Sequence, residues 1–482
     1  MKITLIYPGI AQIGFASFGR GTPTTNLMNL GLGYIGAMIK ENTNYEVDLI
    51  DLRKMKGWDD FSRELKDRAC DIVGIYTNTV NFEYAMKCAE IAGNMGKTVI
   101  AGGPHATLTP QELLDTGYVD HVITGEGEFT VIDVLKSLNK GVSVERVIQG
   151  RPVENLDALP FPDRDLFDLE ESLNLPGIFP YPHRYVGILA SRGCYFNCSF
   201  CQPLERKLFG KRIKFRSIEN VIKEAKFLKD RYRANFIMFQ DDQLTQKRDW
   251  VMNLCAEIKK IKIDWGALAR VDTVEEEIIK NMKEAGCLVI QFGFESGSQR
   301  ILNFLRKGTK VEQAIKAARL CRDNGILIFA NYMLGIPTEA EEDLEATYRL
   351  MKEINAEIHA ASYFSPIPGS DIYDYCKQND LIKVTSYDMY VRGAVDNKIK
   401  GVDYQRLGEI KRKMEKCSPA WYRESYYASC VLKRWGGLIK QGHYLQAIKE
   451  FITHTSFLDV PIRGLYQKMK TLMPMGRQQM SP

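Results

Sequence analysis

The chain has no uninterrupted run of about 18 or more apolar residues, so no segment reads as a membrane span. It carries little net charge, +5 over 482 residues, and this gives no general electrostatic case for nucleic-acid binding. No internal repeat and no low-complexity tract is visible, so repeat arrays and disordered polar linkers are set aside. Met1–Tyr7 leads straight into a strand pattern without a charged stretch followed by an apolar one, so no secretion signal is expected. A disulfide framework is missing as well. The eleven cysteines are odd in number, and Cys70, Cys88, Cys255, Cys287, Cys321, Cys376, Cys417 and Cys430 stand singly. That usage suits a reducing, cytoplasmic compartment. What is present is 45% hydrophobic and 26% charged, the balance of a globular protein with a real core, long enough for two to four structural units.

Residues 1–140 alternate short apolar runs with helical patterns. Strands are expected at Ile3–Tyr7, Val47–Leu52, Ile72–Tyr76, Thr98–Ala101 and His121–Thr124, with helices between them, as at Gly33–Lys40, Glu83–Gly93 and Gln111–Thr116. Each run is apolar throughout, as a sheet covered on both faces requires, so a doubly wound parallel α/β sheet follows. Residues 141–184 are rich in proline and acid and read as a linker. A second α/β series then spans 185–385. Its strands are expected at Val186–Ala190, Phe236–Phe239, Asp264–Ala269, Leu288–Phe294, Leu327–Leu334 and Ile358–Tyr363, six in all, which fits a partial (β/α)6 barrel. Catalytic groups in such barrels sit at the C-terminal strand ends. Residues 386–482 read as helical, aromatic and basic.

One cysteine cluster is tight. Ser191-Arg192-Gly193-Cys194-Tyr195-Phe196-Asn197-Cys198-Ser199-Phe200-Cys201 follows the first strand of the second series. Three thiolates within eight residues suit a small metal centre. A cubane held by three cysteines leaves one iron open to another ligand. A zinc knuckle would want a fourth ligand, and no His or Cys pair lies nearby at zinc-finger spacing.

This CxxxCxxC segment, with the aromatic Phe200 before its last cysteine, resembles the radical S-adenosylmethionine (SAM) superfamily over roughly residues 185–385. The resemblance implies that Cys194, Cys198 and Cys201 are the catalytic metal ligands of a 4Fe–4S cluster, whose open iron binds the amino and carboxylate groups of SAM. One electron, from a donor such as flavodoxin or ferredoxin, then cleaves SAM to a 5′-deoxyadenosyl radical that abstracts hydrogen from carbon. Phe200 joins the cofactor surroundings. Gln240-Asp241-Asp242 ends the second strand, where the family often has Gly-Gly-Glu for the SAM amino group; the departure leaves a polar or acidic acceptor in that place. Arg270 ends the third strand and suits the carboxylate. Glu295 and Ser296 end the fourth and suit the ribose hydroxyls, and Gly335 ends the fifth, where backbone near adenine is expected. Each of these positions also suits a helix cap or turn.

In the first series, Ala101-Gly102-Gly103-Pro104-His105-Ala106-Thr107 and Gly125-Glu126-Gly127-Glu128 each follow a strand. Glycines there let a large ligand approach the carboxyl edge of the sheet. With the Leu156-Asp157-Ala158-Leu159-Pro160-Phe161-Pro162 stretch, they resemble the cobalamin-binding domain attached to many radical SAM enzymes, over residues 1–165. The resemblance implies bound cobalamin with Thr77, Gly102, Gly103, Gly125 and Glu126 as contacts. His105 is either a contact or a capping residue. The Asp-x-His-x-x-Gly sequence that gives cobalt a histidine in cobalamin mutases is absent, so the cobalt is expected to lack a histidine ligand.

Segment 431–482 sets eight Lys and Arg against two acidic residues, a net +6. Apolar residues interleave with the charge, as in Leu445–Ile452. A basic amphipathic helix of this kind suits either an anionic membrane surface, and so a peripheral contact at its inner face, or packing on the barrel. The cluster Trp421-Tyr422-Arg423-Glu424-Ser425-Tyr426-Tyr427 resembles the subfamily of the anaerobic magnesium-protoporphyrin ester cyclase and hopanoid-pathway enzymes, which points to a large apolar or lipid-like small-molecule substrate. The expected function is cobalamin-dependent methylation of an unactivated carbon. The alternatives are a radical cyclase, oxidase or carbon–carbon coupling enzyme, and a non-catalytic iron–sulfur or zinc protein.

Overall fold

The computed structural model describes residues 1–9, 28–173, 184–201, 208–210, 212–390 and 397–417. The Trp421–Tyr427 cluster, the basic segment 431–482, Cys430, His183, His443 and His454 lie outside the described residues.

The first sheet joins β1 (Lys2–Tyr7), β2 (Glu46–Asp51), β3 (Ile72–Tyr76), β4 (Thr98–Gly102), β5 (His121–Thr124) and β6 (Val147–Gln149), all parallel, in the order β2-β1-β3-β4-β5-β6. Six helices cover it: α1 (Leu30–Asn42), α2 (Trp58–Arg68), α3 (Phe82–Asn94), α4 (Pro104–Leu108), α5 (Pro110–Asp115) and α6 (Glu128–Asn139). Successive strand residues face opposite layers, which explains the unbroken apolar runs. Ile3, Leu5 and Tyr7 of β1 pack with Leu32, Met38 and Ile39 of α1 and Leu135 of α6. Ile6 packs on the other side with Phe61 of α2 and Ala85 and Ala89 of α3. The strand order reverses between β1 and β3, the place where open α/β sheets bind ligands. Tyr7 and Tyr76 end these two strands with ring centroids 5.9 Å apart. β6 falls inside the stretch read as linker. It is a three-residue edge strand with one half-buried and two exposed residues, so it carries no apolar signature.

The second sheet joins β7 (Tyr185–Ile188), β10 (Phe236–Phe239), β11 (Asp264–Ala269), β12 (Cys287–Glu295), β13 (Leu327–Leu334) and β14 (Ile358–Tyr363). All pairs are parallel, in the order β14-β13-β12-β11-β10-β7. Ile237 and Phe239 of β10 face the outer helices, whereas Phe236 and Met238 plug the lumen with Tyr185 and Val289. Apolar packing therefore closes the amino end of the partial barrel, and the polar strand ends gather at the other. Between β7 and β10 a short antiparallel pair, β8 (Ser191–Arg192) with β9 (Lys214–Phe215), carries the chain into and out of the cysteine loop. The helix Tyr404–Glu415 places Leu407, Ile410 and Met414 in the barrel core. Among the described residues no helix is long and apolar enough to cross a membrane.

Candidate cofactor site

The cysteine loop leaves β7 under tight control. Ala190 N and Ser191 Oγ donate to the Asp241 carboxylate at 3.1 and 2.5 Å. Asp241 is wholly buried, and that burial pushes its pKa up to about 6. The oxygens of Asp241, a residue expected near the SAM ammonium, hold the start of the loop. Gly193 has φ 105°, and a Cβ there would lie 2.5 Å from Arg212 O, so only glycine fits just before Cys194. Further on, Ser199 N donates to Leu305 O at 2.8 Å, and Ile372 N donates to Ser199 O at 3.0 Å. Cys194 and Cys198 are half-buried and Cys201 is exposed.

Among the described residues no three Cys, His, Asp or Glu side chains converge as they would around one metal ion. A closed zinc cage takes four donors around one ion. A cubane is different, because its three thiolates bind three separate irons, and a soft all-sulfur donor set on one loop suits it.

The barrel-end residues divide sharply. Gln240 and Asp242 line a cavity, and Asp242 is close enough to Cys194 to raise its thiol pKa, a shift that burial dominates. Arg270 is buried with its fork already filled: Nε and Nη2 donate to the Asp272 carboxylate at 2.8 and 2.9 Å, and Nη2 also reaches Lys307 O at 2.5 Å. Glu295 accepts from Lys307 Nζ at 2.8 Å; it sits in a bulge of β12 with φ 64°. Ser296, expected near the ribose, is wholly buried, 3.0 Å from Thr347 Oγ1, and accepts from Ser298 N, which makes it a local brace. Gly335 takes φ 79° and donates its N–H to Glu339 Oε2 at 2.6 Å. Glu339, which sequence reasoning missed, thus shapes that turn, and burial pushes its pKa up to about 8. Phe200 packs at the edge of a small apolar cluster with Ile301 and Leu305, and Lys307 Nζ stands 5.6 Å from its ring centroid.

At the first sheet, Gly103 has φ 112°, and a Cβ would lie 2.6 Å from Thr77 O. Thr77 is wholly buried; its Oγ1 donates to Gly102 O at 3.0 Å and accepts from Ala106 N at 3.2 Å, so it holds the turn from behind. Gly102, Gly103 and Gly125 line the cavity. His105 does not. It is 1% exposed, with Nδ1 3.3 Å from Thr79 Oγ1 and Nε2 3.1 Å from Thr109 Oγ1, and burial lowers its pKa to about 4. Of the two roles expected for His105, contact or capping, these partners favour the bracing one. Glu126 also has a further task. It accepts from Arg192 Nη1 at 2.7 Å, from Lys214 Nζ at 2.8 Å and from Val153 N at 2.9 Å. Arg192 reaches Glu128 at 2.6 Å as well. Arg192, two residues before Cys194, therefore clamps the cysteine loop to the first sheet, a role its place in the motif did not reveal.

The cavity has a volume of about 600 Å³, within the range of small-molecule sites. It opens at the carboxyl edge of the first sheet, past Tyr7, Tyr76 and the glycines, and runs inward between the sheet and helices α1 and α6. Leu189, Arg192, Gln240 and Asp242 close it from the barrel side. Close-approach glycines and a deep apolar interior fit a large cofactor with an apolar body. No histidine among the described residues lines it.

Comparison with known proteins agrees with this arrangement. Residues 188–351 match the model of the radical SAM superfamily, and residues 17–135 match that of the B12 binding domain. An uncharacterized methyltransferase of Pyrococcus horikoshii is 30% identical over 433 residues, covering 86% of this chain and 91% of the relative. The anaerobic magnesium-protoporphyrin IX monomethyl ester cyclase of Rubrivivax gelatinosus is 24% identical over 417 residues, covering 81% and 72%. Among solved structures, the radical S-adenosylmethionine methyltransferase TsrM of Kitasatospora setae superposes with a TM-score of 0.62 at 17% identity, covering 80% of this chain and 77% of that one.

Proposed function

Because the chain belongs to the radical SAM superfamily and carries a B12 binding domain ahead of its barrel, we propose that it methylates an unactivated carbon, using a 4Fe–4S cluster, SAM and cobalamin. The observation that carries this reading is a cavity that reaches both sheets, lined by Gly102, Gly103 and Gly125 on one side and by Gln240 and Asp242 on the other. A methyl carrier and a radical generator must act on the same carbon, so their sites have to meet. When bound, the cluster and SAM supply one-electron cleavage of a C–S bond, and the corrinoid supplies a methyl carrier.

In this reading Cys194, Cys198 and Cys201 hold the cluster and leave one iron for SAM. Gln240 and Asp242 accept from the SAM ammonium, while Asp241 and Gly193 fix the loop that presents the cysteines. The carbonyls and N–H groups around Gly335, held by Glu339, border the adenine. Gly102, Gly103 and Gly125 let the corrinoid edge approach the sheet, and Arg192 keeps the two halves in register. Burial behind these groups excludes water from the reacting atoms.

A one-electron reductant is required, and a flavodoxin or ferredoxin is the proposed donor. The proposed substrate is a small molecule with a large apolar or lipid-like body, met inside the cell; contact with a membrane surface would fall to the basic C-terminal segment. The test is product analysis after anaerobic reconstitution with reductant, SAM and cobalamin. Methylation releases S-adenosylhomocysteine together with 5′-deoxyadenosine. Release of 5′-deoxyadenosine without S-adenosylhomocysteine, in the presence of substrate, points instead to cyclisation or coupling, the reading that likeness to the ester cyclase favours.

A further inference from the structure

Arg270 was expected to face the SAM carboxylate, but its surroundings give it a different partner. Its guanidinium carbon lies 3.6 Å from the ring centroid of Phe196, between the first two cysteines of the loop. Its Nη1 is 3.5 Å from Cys198 Sγ, within hydrogen-bond reach for sulfur. The remaining donors are fixed by Asp272 and by Lys307 O. The side chain is 2% exposed, so this charge is poorly screened and cannot swing towards a ligand without breaking a bidentate pair. Lys307 extends the same scaffold: its carbonyl holds Arg270, its ammonium pairs with Glu295, and that ammonium stands over Phe200, between the last two cysteines. Phe196 and Phe200 are thus each backed by a cation that is tied to the end of a barrel strand.

We infer that Arg270 sets the reduction potential of the cluster through its N–H to the Cys198 sulfur, with Asp272 as the positioning residue that aims it and moderates its charge. The inference rests on the proposed cluster ligation by Cys194, Cys198 and Cys201. Reduction adds one electron, from an external one-electron donor, to a centre whose ligands are already anionic. A fixed cation with an N–H on a ligating sulfur stabilises the extra negative charge, so it favours the reduced state. No proton moves at Arg270. Its planar stack on Phe196 keeps the donor aimed at the sulfur, which a lysine would not do.

The experiment is a redox titration of the reconstituted full chain, without SAM, followed by the EPR signal of the reduced cluster and referred to iron and sulfide content. For Arg270→Gln the ratio of reduced to oxidised cluster at a fixed poise should fall about tenfold, equivalent to about 59 mV for a one-electron couple. Asp272→Asn removes the counter-charge and should shift the ratio the other way. Arg270→Lys should fall between wild type and Arg270→Gln. If Arg270→Gln fails to assemble a cluster, the Asp272→Asn shift decides. Unchanged potentials in variants with full clusters overturn the inference, and if SAM binding weakens in the same variants, Arg270 is a carboxylate partner instead. A wild-type chain that assembles no cluster overturns the cluster assignment itself, a result distinguishable from either.

Discussion

The joint between the connecting stretch and the barrel includes one buried carboxylate, and its removal has a calculable consequence. Glu224, on the helix Ile218–Tyr232, is 0% exposed and lies between Arg164 of the connecting stretch and Arg216, themselves 2% and 3% exposed. Arg164 Nη2 meets Glu224 Oε1 at 2.7 Å and Gly187 O of β7 at 2.9 Å. Arg216 pairs with the other Glu224 oxygen and reaches Leu189 O at 2.9 Å. Glu224→Gln keeps the shape but leaves two buried guanidiniums without a counter-charge. Breaking a buried pair from one side costs about 3–5 kcal/mol. The carbonyls of Gly187 and Leu189 still accept from the arginines, so the lower end, about 3 kcal/mol, is expected. The assay is urea unfolding of the reconstituted chain, with the loss read from the midpoint shift at constant slope. Glu224→Leu combined with Arg164→Met and Arg216→Met should recover most of the loss, because a packed apolar triad needs no counter-charge. A loss below about 1 kcal/mol for Glu224→Gln, or no recovery in the triple variant, would show that charge pairing does not hold this joint.

Changing any one of Cys194, Cys198 or Cys201 to Ala should abolish both the cluster spectrum and SAM cleavage, while Cys255→Ala and Cys321→Ala, in the outer barrel core, should keep both. Cobalamin bound to the full chain should give a cob(II)alamin EPR spectrum without nitrogen hyperfine splitting from a protein imidazole; such splitting would refute the absence of a histidine ligand. His105, whose pKa burial lowers to about 4, makes the fold sensitive to acid. Above the unfolded value of about 6.5 neither state binds the proton; as the pH falls from there towards 4 the unfolded state gains it first, so stability is lost through that window. At about 1.4 kcal/mol per unit the loss approaches 3 kcal/mol, reduced by Glu112 Oε2 lying 3.2 Å from Nε2. His105→Gln should flatten the stability profile between pH 6.5 and 4, and an unchanged slope would refute this role.

Strands were legible where the physics is local. Ile72–Tyr76 and Leu327–Leu334 have no exposed residue on either face, which calls for nearly unbroken apolar runs (Asn331 is the polar exception), so their limits could be read directly. The cysteine loop was legible for the same reason, since its chemistry lies within eight residues. The polar strand ends were harder to read, for one shared reason. Side chains leaving a strand alternate in direction. Gln240 and Asp242 face the cavity, so Asp241 between them points into the protein and holds Ala190 and Ser191. Glu295 meets Lys307, and Ser296 next to it turns towards Thr347. Parity along the chain carried this information; a list of polar residues at strand ends did not. Arg270 needed more still, because Cys198 lies 72 residues away and neither spacing nor composition can express that contact.

Gly125-Glu126-Gly127-Glu128 shows how one short stretch serves two ends. Gly125 takes φ 79° and, with Gly127, lines the cavity at the point where the first sheet ends. Glu126 and Glu128, one residue apart from each glycine, both grip Arg192, and Lys214 adds a second cation from the strand paired with β8. Arg192 is joined to Cys194 through Gly193 alone, so whatever fixes the carboxyl edge of the first sheet also fixes the cysteine loop. A ligand that orders the glycines would then order the loop, and by linkage a cluster on the loop would tighten the grip on that ligand by the same factor. The two halves of the chain are therefore joined by a path of a few residues, running from a cavity wall through a double ion pair to the first cysteine.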